Sequence, residues 1–393
     1  MTDAKPKPLS SLIFFPLLSL IFLRPFFSGL AYPVMELYYQ NLKIFLAIAT
    51  LMVEAKARFR VFPQRYDNFP VIFLLFAYSI ATIFSINIQN SMTETIKFIS
   101  FFSVFFMISQ IDEKQKKILI KVMVLAASII SLYSIYQYFW GYQHTLDYLR
   151  RTNNDFLLNS SYARDILIAK RAIGTFPSPN ILASYLILAF FLSLSLRKKY
   201  LAPVLITSAL LLTKSMGAWL SLVAALTIFF ALSYKSIKKQ RLMLGLSFIF
   251  IALAITFILV TRWERLMDIG NPQNSITQRL NYWRTAIAVI KDRPITGIGP
   301  GNFKEAFLNY KVGMSTNTRY AHNILLHQWA EIGLFGLMGL LYLTIIFLRK
   351  FKKDTKNVFV FLAVLVFIIH NLIDNTYFIP QTGFLFWISL ALI

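Results

Sequence analysis

Dense clusters of basic residues stand at the ends of apolar segments, and they constrain the fold of this chain more than any other feature. The five clusters are Lys56, Arg58, Arg60 and Arg65; Lys114, Lys116, Lys117 and Lys121; Arg197, Lys198 and Lys199; Lys235, Lys238, Lys239 and Arg241; and Arg349, Lys350, Lys352, Lys353 and Lys356. Positive charge beside a membrane span stays on the cytoplasmic side. The pattern therefore predicts a membrane protein whose orientation is set by these loops.

The apolar segments between the clusters approach the length of about 20 residues that crosses a bilayer. They run over roughly 9–23, 26–53, 69–88, 95–110, 117–139, 180–196, 200–213, 217–234, 242–261, 323–348, 358–375 and 378–393. A hydrophobic content of 57% excludes a set of soluble domains. We predict an all-α polytopic membrane protein with about 12 transmembrane helices, forming one integral membrane domain over residues 1–393. Its N-terminus is expected in the cytoplasm, with an uncleaved first helix.

The formal net charge of +23 is explained by this topology. Of the 40 basic residues, 22 lie in the N-terminal segment and the five clusters, where they set orientation and attract anionic membrane lipids. Nucleic acid is not an expected partner. The chain has no cysteine and no Asp-x-Asp pair that would chelate a divalent ion, so we predict neither a metal nor another cofactor.

Two predicted outward loops are too long to be simple turns: a smaller loop at 140–179 and a large loop at 262–322, between spans 9 and 10. In the large loop, apolar residues at steps of three or four predict an amphipathic helix over Ser275 to Ile290. Ser275 or Thr277 would cap this helix, and Pro294 would end it. Alternating glycines from Gly297 to Gly301 then predict a tight turn, which does not match a dinucleotide-binding fingerprint.

Basic residues are less common on the outer side of a membrane than on the cytoplasmic side. Those in the predicted outward loops are therefore candidates for binding an anionic ligand. Guanidinium groups are preferred donors to phosphate because they stay charged and offer paired N–H bonds. The candidates are Arg171, Lys214, Arg265, Arg279 and Arg284. His322, with Tyr320 and Asn323 beside it, lies where the large loop re-enters the membrane, and a base there would meet an aqueous acceptor.

Four motifs occur in an order that resembles the O-antigen ligase and polymerase superfamily. They are Arg171 to Asn180 leading into a span; Ser275 to Trp283 with Arg279 four residues before the tryptophan; Pro294 to Phe303 around the glycine turn; and His322-Asn323 followed by Glu331-x-Gly333-x-x-Gly336. The motifs cover about residues 170–340. One position departs from the family: Lys214-Ser215-Met216-Gly217 has methionine where Ser-Arg-Gly is usual, so either Lys214 or another arginine would supply that charge.

The resemblance implies a metal-independent, inverting glycosyltransferase of the bacterial inner membrane, with a fold like that of other multi-span glycosyltransferases (GT-C). Such an enzyme moves a glycan from undecaprenyl diphosphate to an acceptor hydroxyl on the periplasmic face, and for the ligase the acceptor is the lipid A-core of lipopolysaccharide. The family's loop arginine maps onto Arg279 and its loop histidine onto His322. Arg171, Lys214, Arg265 and Arg284 would bind diphosphate or glycan together with Asn180, Trp283, Tyr320 and Asn323.

Three other activities stay open at this point. The polymerase of the same superfamily joins repeat units instead of capping a core, and the protein O-oligosaccharyltransferase is a third member. A transporter or flippase for lipid-linked glycans would instead use the intramembrane groups Glu36, Glu331, His370 and Asp374 to bind or relay ions.

Overall fold

The computed structural model describes residues 9–28, 33–54, 68–160, 163–196, 201–233, 270–272, 274–312, 317–351 and 358–393, with isolated positions between 256 and 268. Throughout these residues the chain is helical and has no strand. The helices are α1 (Ser11–Leu23), α2 (Pro33–Glu54), α3 (Phe69–Ile83), α4 (Ile88–Ile108), α5 (Glu113–Tyr136), α6 (Tyr142–Arg151), α7 (Asp155–Leu158), α8 (Pro179–Leu194), α9 (Leu201–Thr213), α10 (Met216–Ser233), α11 (Ser275–Asp292), α12 (Phe303–Tyr310), α13 (Ile324–Phe351), α14 (Val358–His370) and α15 (Pro380–Ala391).

The predicted all-helical membrane fold is confirmed in its class. Among the described residues, three stretches are long and apolar enough to cross a membrane: Ile88–Ile108, Glu113–Arg151 and Ile324–Lys350. Shorter apolar helices coincide with most of the other predicted spans. The span at 242–261 and most of the basic clusters lie outside the described residues, so the count of about 12 stays a prediction.

The main core is built around α14 and α15, whose side chains are buried along almost their whole length. Helices α8 and α10 pack against α14, while α15 packs against α4. Aromatic rings fill the α4–α15 contact, with the Phe102 and Trp387 centroids 4.8 Å apart. Two smaller cores lie outside it, one within the large loop and one within the smaller loop. The loops are therefore folded structures rather than extended connections.

Helix α13 is interrupted at Gly333, where φ is 75° and ψ is −168°. The glycine turn fills the interruption: Ile298 N–H donates to the Ala330 carbonyl at 3.0 Å, and Gly299 N–H donates to the Glu331 carbonyl at 2.9 Å. A Cβ added at Gly333 would lie 2.0 Å from the Ile295 carbonyl oxygen. Only glycine fits here, because the backbone is both left-handed and in close contact. The turn and the broken helix thus fix each other.

Helix α11 confirms the predicted helix of the large loop but differs from it in two details. Its N-cap is Asn274, whose side chain accepts from the Ile276 N–H at 2.8 Å, and not Ser275 or Thr277. The face that packs on α12 and α13 carries Tyr282, Ala286 and Val289. The predicted apolar face is split, since Leu280 and Ile287 are 40% and 43% exposed.

Candidate active site

Asp374 lies between the two residues that the sequence singled out in the large loop. Its Oδ2 is 3.2 Å from Nη2 of Arg279, and its Oδ1 is 3.4 Å from Nδ1 of His322. The Asp374 side chain is 4% exposed, whereas those of Arg279 and His322 are 19% and 26% exposed. A buried carboxylate thus holds a guanidinium and an imidazole that both remain accessible.

The segment between α14 and α15 positions this carboxylate. The side-chain oxygen of Asn371 accepts from the Tyr377 N–H at 2.6 Å and from the Thr376 hydroxyl at 3.1 Å. The carbonyl of Asn371 accepts from the Ile324 N–H at 2.8 Å, at the first residue of α13. These bonds join the start of α13, next to His322, to the segment that carries Asp374.

Helix α11 holds the imidazole from the other side. The Tyr282 ring stacks on His322 with centroids 5.6 Å apart, and Trp283 Nε1–H donates to the His322 carbonyl at 3.3 Å. Asn323 caps α13 by accepting from the Leu326 N–H at 3.0 Å, and its Nδ2 donates to the Leu372 carbonyl at 2.9 Å. Trp283 and Asn323 therefore help to position His322, and the direct substrate contact predicted for them stays a prediction.

The charges around Asp374 keep it ionised. Burial alone would raise the pKa of its carboxyl, but the His322 imidazole and the Arg279 guanidinium lower the pKa below its usual value of 3.8. A carboxylate is the form that can orient an imidazole and accept from a guanidinium. Asp374 thus acts as a fixed negative charge at neutral pH.

A second polar cluster surrounds Arg171. Its Nε–H donates to the Thr213 carbonyl at 3.1 Å, and Nη2 donates to Oδ1 of Asn180 at 3.1 Å. The same Asn180 oxygen accepts from the Ser215 hydroxyl at 3.0 Å. Lys214, the next residue after Thr213, donates from Nζ to the Ala169 carbonyl at 2.9 Å. The structure therefore brings Arg171, Asn180 and Lys214 together, while their contact with a substrate stays a prediction.

The two clusters lie at the same end of the helix bundle. Gly217 packs against the end of α14, since a Cβ added there would be 3.2 Å from Ile373 and 3.5 Å from Nε2 of His370. On the neighbouring helix, Ser184 is 2.7 Å from the Thr376 hydroxyl. Ser184 lies one turn, about 6 Å, beyond Asn180 on α8. Both contacts tie the Arg171 cluster to residues adjacent to Asp374.

Backbone strain marks the same place. Four residues other than glycine have positive φ among the described residues, and three of them belong to these clusters: Lys170 at 46°, Lys214 at 50° and His322 at 53°. Such conformations cost energy for side chains other than glycine and collect at functional sites. The strain supports treating the two clusters as one candidate site.

Two predicted contact residues are placed elsewhere. Arg284 is exposed, and its Nη1 is 3.4 Å from Oδ1 of Asn281 on its own helix. Tyr320 is buried, with its ring stacked on Phe378 at 6.0 Å, so it contributes to packing. Arg265 lies outside the described residues.

Glu331, the intramembrane acid of the fourth motif, serves the glycine turn. Its carboxylate accepts from the N–H groups of Gly301 at 2.8 Å and Phe303 at 2.9 Å. Nε2 of His327 is 3.4 Å from the same carboxylate. These bonds account for an acidic residue inside a predicted span, so a role in an ion pathway is not needed to explain it. No cluster of three potential metal ligands occurs among the described residues.

Sequence reasoning missed the central role of Asp374. It noticed this residue only as one of four intramembrane ionisable groups. The available signal was its setting, an acid followed by Asn375 and Thr376 between two apolar segments.

Part of the chain is similar to a known protein family. A family model described as O-antigen ligase matches residues 201–341. The match includes Lys214, Arg279 and His322, while Arg171 and Asp374 lie on either side of it. No curated protein and no solved structure gives a significant match to the chain.

Proposed function

We propose that this chain, a member of the O-antigen ligase and polymerase superfamily by its residues 201–341, transfers a glycan from undecaprenyl diphosphate to an acceptor hydroxyl. The preferred reaction is the ligase reaction, in which O-antigen is joined to lipid A-core on the periplasmic face of the bacterial inner membrane. The observation that carries the proposal is the shared contact of Arg279 and His322 with buried Asp374, within and beside the family segment.

The donor side of the reaction needs cations. The departing diphosphate gains negative charge as the bond between the anomeric carbon and the phosphate oxygen breaks, so preorganised donors that face this charge lower the barrier. Arg279 binds Asp374 through one nitrogen, and a guanidinium has further N–H groups to offer. Arg171 and Lys214 add positive charge at the same end of the bundle.

The acceptor side needs a base. The acceptor oxygen forms a bond to the anomeric carbon from the face opposite the diphosphate, which inverts that carbon, and its proton passes to His322. Asp374 next to Nδ1 orients the imidazole and stabilises it once it is protonated, so that Nε2 is the atom that accepts the proton. No metal is required in this scheme, because cationic side chains stabilise the leaving group.

Direct transfer by purified protein tests the proposal. Arg279→Ala and His322→Ala should each slow formation of glycan-capped lipid A-core by about ten- to a hundredfold or more, the value of one charge-assisted contact. Lys291→Ala, which removes an exposed charge from the same helix, should transfer at the wild-type rate. Products are read by gel and by mass spectrometry, with protein amount and monodispersity checked for every variant.

The same incubation separates the rival activities. A polymerase would lengthen the glycan while it stays on the lipid diphosphate, even when lipid A-core is absent. A flippase would leave the glycan on its carrier, so no undecaprenyl diphosphate would be released whether or not lipid A-core is present. Wild-type transfer by both alanine variants would overturn the assigned site.

A further inference from the structure

A cavity of about 430 Å³ lies within the smaller loop, where α5, α6 and residues 157–173 meet. Its volume falls within the range of roughly 300 to 1,000 Å³ that is typical of small-molecule sites. The wall includes the rings of Tyr133 and Tyr136, with Leu149, Leu167 and Ile173 opposite them. Nothing in the transfer mechanism above uses this space.

Three polar side chains of the wall already bond to the protein. Gln137 Oε1 accepts from the N–H groups of Ile173 at 3.2 Å and Gly174 at 2.9 Å. Thr145 donates to the Gly141 carbonyl at 3.0 Å, and Ser160 donates to the Leu157 carbonyl at 2.6 Å. A sugar would need polar partners for most of its hydroxyl groups, whereas a hydrocarbon chain needs only apolar surface. Because apolar and aromatic residues make up most of the lining, the wall favours a hydrocarbon ligand.

Two rare backbone conformations build this wall. The segments Gln137–Gly141 and Ala163–Ile168 are π-helical, and each contributes two residues to the cavity lining. Short π-helical segments are uncommon and often occur at functional sites. Continuous α-helix in both places would bring different side chains to the wall, so the cavity depends on this irregularity.

The cavity adjoins the proposed diphosphate site. Tyr142, which lines it, donates from its hydroxyl to the Arg171 carbonyl at 2.6 Å, and Ile173 lies two residues beyond Arg171. Apolar side chains of the same loop are strongly exposed, including Trp140 at 57%, Phe156 at 85% and Ile168 at 62%. Such residues are stable at a membrane surface, where a lipid chain enters from the side.

We propose that this cavity binds the isoprenoid units nearest the diphosphate of the donor lipid. The inference rests on the proposed function, because the isoprenoid that enters the cavity is the one attached to the diphosphate held near Arg171. Filling the cavity with this chain fixes the donor at its phosphate end and makes transfer depend on carrier length.

Carrier length and a cavity-filling variant test the inference together. For the same glycan, kcat/KM with wild-type protein should be about ten- to a hundredfold higher on an undecaprenyl carrier than on a one-unit dimethylallyl carrier, since burying a leucine-sized apolar group has about this effect. Thr145→Trp places a large ring at the exposed edge of the cavity and should lower only the undecaprenyl value. Gln143→Trp, on another face of α6, should behave as wild type.

Photolabelling of wild-type protein tests occupancy without relying on transfer or on any variant. A polyprenyl diphosphate with benzophenone in its third isoprene unit should label peptides between 133 and 173, and undecaprenyl diphosphate should compete. Labelling elsewhere, or equal labelling by a phosphatidylethanolamine with a diazirine acyl chain that undecaprenyl diphosphate does not displace, would overturn the inference. Labelling in the cavity without any glycan transfer would defeat only the proposed function.

Discussion

Asp374 contacts both residues that we propose to be catalytic. It faces Arg279 on α11 and His322 before α13, and these two residues come from different parts of the large loop. Without a negative charge between them, a guanidinium and a protonated imidazole on either side of Asp374 would repel each other. In the proposed mechanism, the carboxylate therefore allows the site to hold both a cation for the leaving group and a base that becomes cationic.

Replacing Asp374 by asparagine should reduce stability in a way that depends on pH. Because the pKa of Asp374 is lowered in the folded protein, its ionisation stabilises the fold fully above the usual value of 3.8 and loses this effect as pH falls further. We expect Asp374→Asn to lower the unfolding temperature between about pH 5 and 8. The difference from wild type should shrink below about pH 4, as measured by thermal unfolding of detergent-purified protein.

The matched control for this series is Asp147→Asn, which removes an exposed carboxylate that faces Arg150 at 3.7 Å. Exposed pairs contribute little, so its unfolding temperature should follow the wild type at every pH. A difference for Asp374→Asn that grows as the pH falls below about 4 would contradict the assigned direction of the pKa shift.

At the scale of residues, the sequence offered only charge and position. Arg171 and Arg279 were selected because cations on the side of the membrane that usually carries few of them need a reason, and His322 because of its place at the predicted membrane boundary. Their roles in binding and catalysis stay predictions. Asp374 was not assigned because its role depends on three segments that are distant in sequence. For Tyr320, residue type and position were not sufficient to predict burial, since an aromatic ring at this boundary can pack inward as readily as it can face a substrate.

At the scale of elements, the break in α13 is the feature on which the large loop depends. Gly333→Ala should be strongly destabilising, because the left-handed conformation costs about 1 to 3 kcal/mol and the new Cβ would overlap the Ile295 carbonyl. We expect a lower unfolding temperature and loss of transfer. Gly141→Ala is the control for stability alone, since its Cβ would meet its nearest neighbour at an ordinary 3.6 Å and Gly141 lines the proposed lipid cavity. Equal stability of the two variants would contradict the argument.

Sequence periodicity predicted where α11 lies but not which face it buries. Leu280, Trp283, Ile287 and Ile290 form an apolar series at helical spacing, yet the face that packs on α12 and α13 is centred on Ala286. In a soluble protein an apolar stripe would identify the buried face. Beside a membrane, both protein and lipid are apolar surroundings, so the pattern alone does not distinguish them.

At the scale of the whole molecule, the charge pattern predicts the membrane orientation, which the helices alone do not predict. Mean hydropathy and helix length identify membrane segments, but either orientation would satisfy them. The basic clusters predict one orientation, and with it the side on which the large loop lies. The compartment of the large loop therefore stays a prediction from the distribution of lysine and arginine.

Impermeant thiol labelling tests this orientation directly, because the natural chain has no cysteine to interfere. Ser275→Cys, exposed at the start of α11, should react in spheroplasts with intact membranes. Lys114→Cys, exposed in the second basic cluster, should react only after the membrane is permeabilised. The reverse pattern would place Arg279 and His322 in the cytoplasm, where the lipid-linked glycan is not presented for this reaction, and the proposed function would fail. Labelling of both variants before permeabilisation would mean leaky spheroplasts, which a cytoplasmic marker enzyme in the medium reveals.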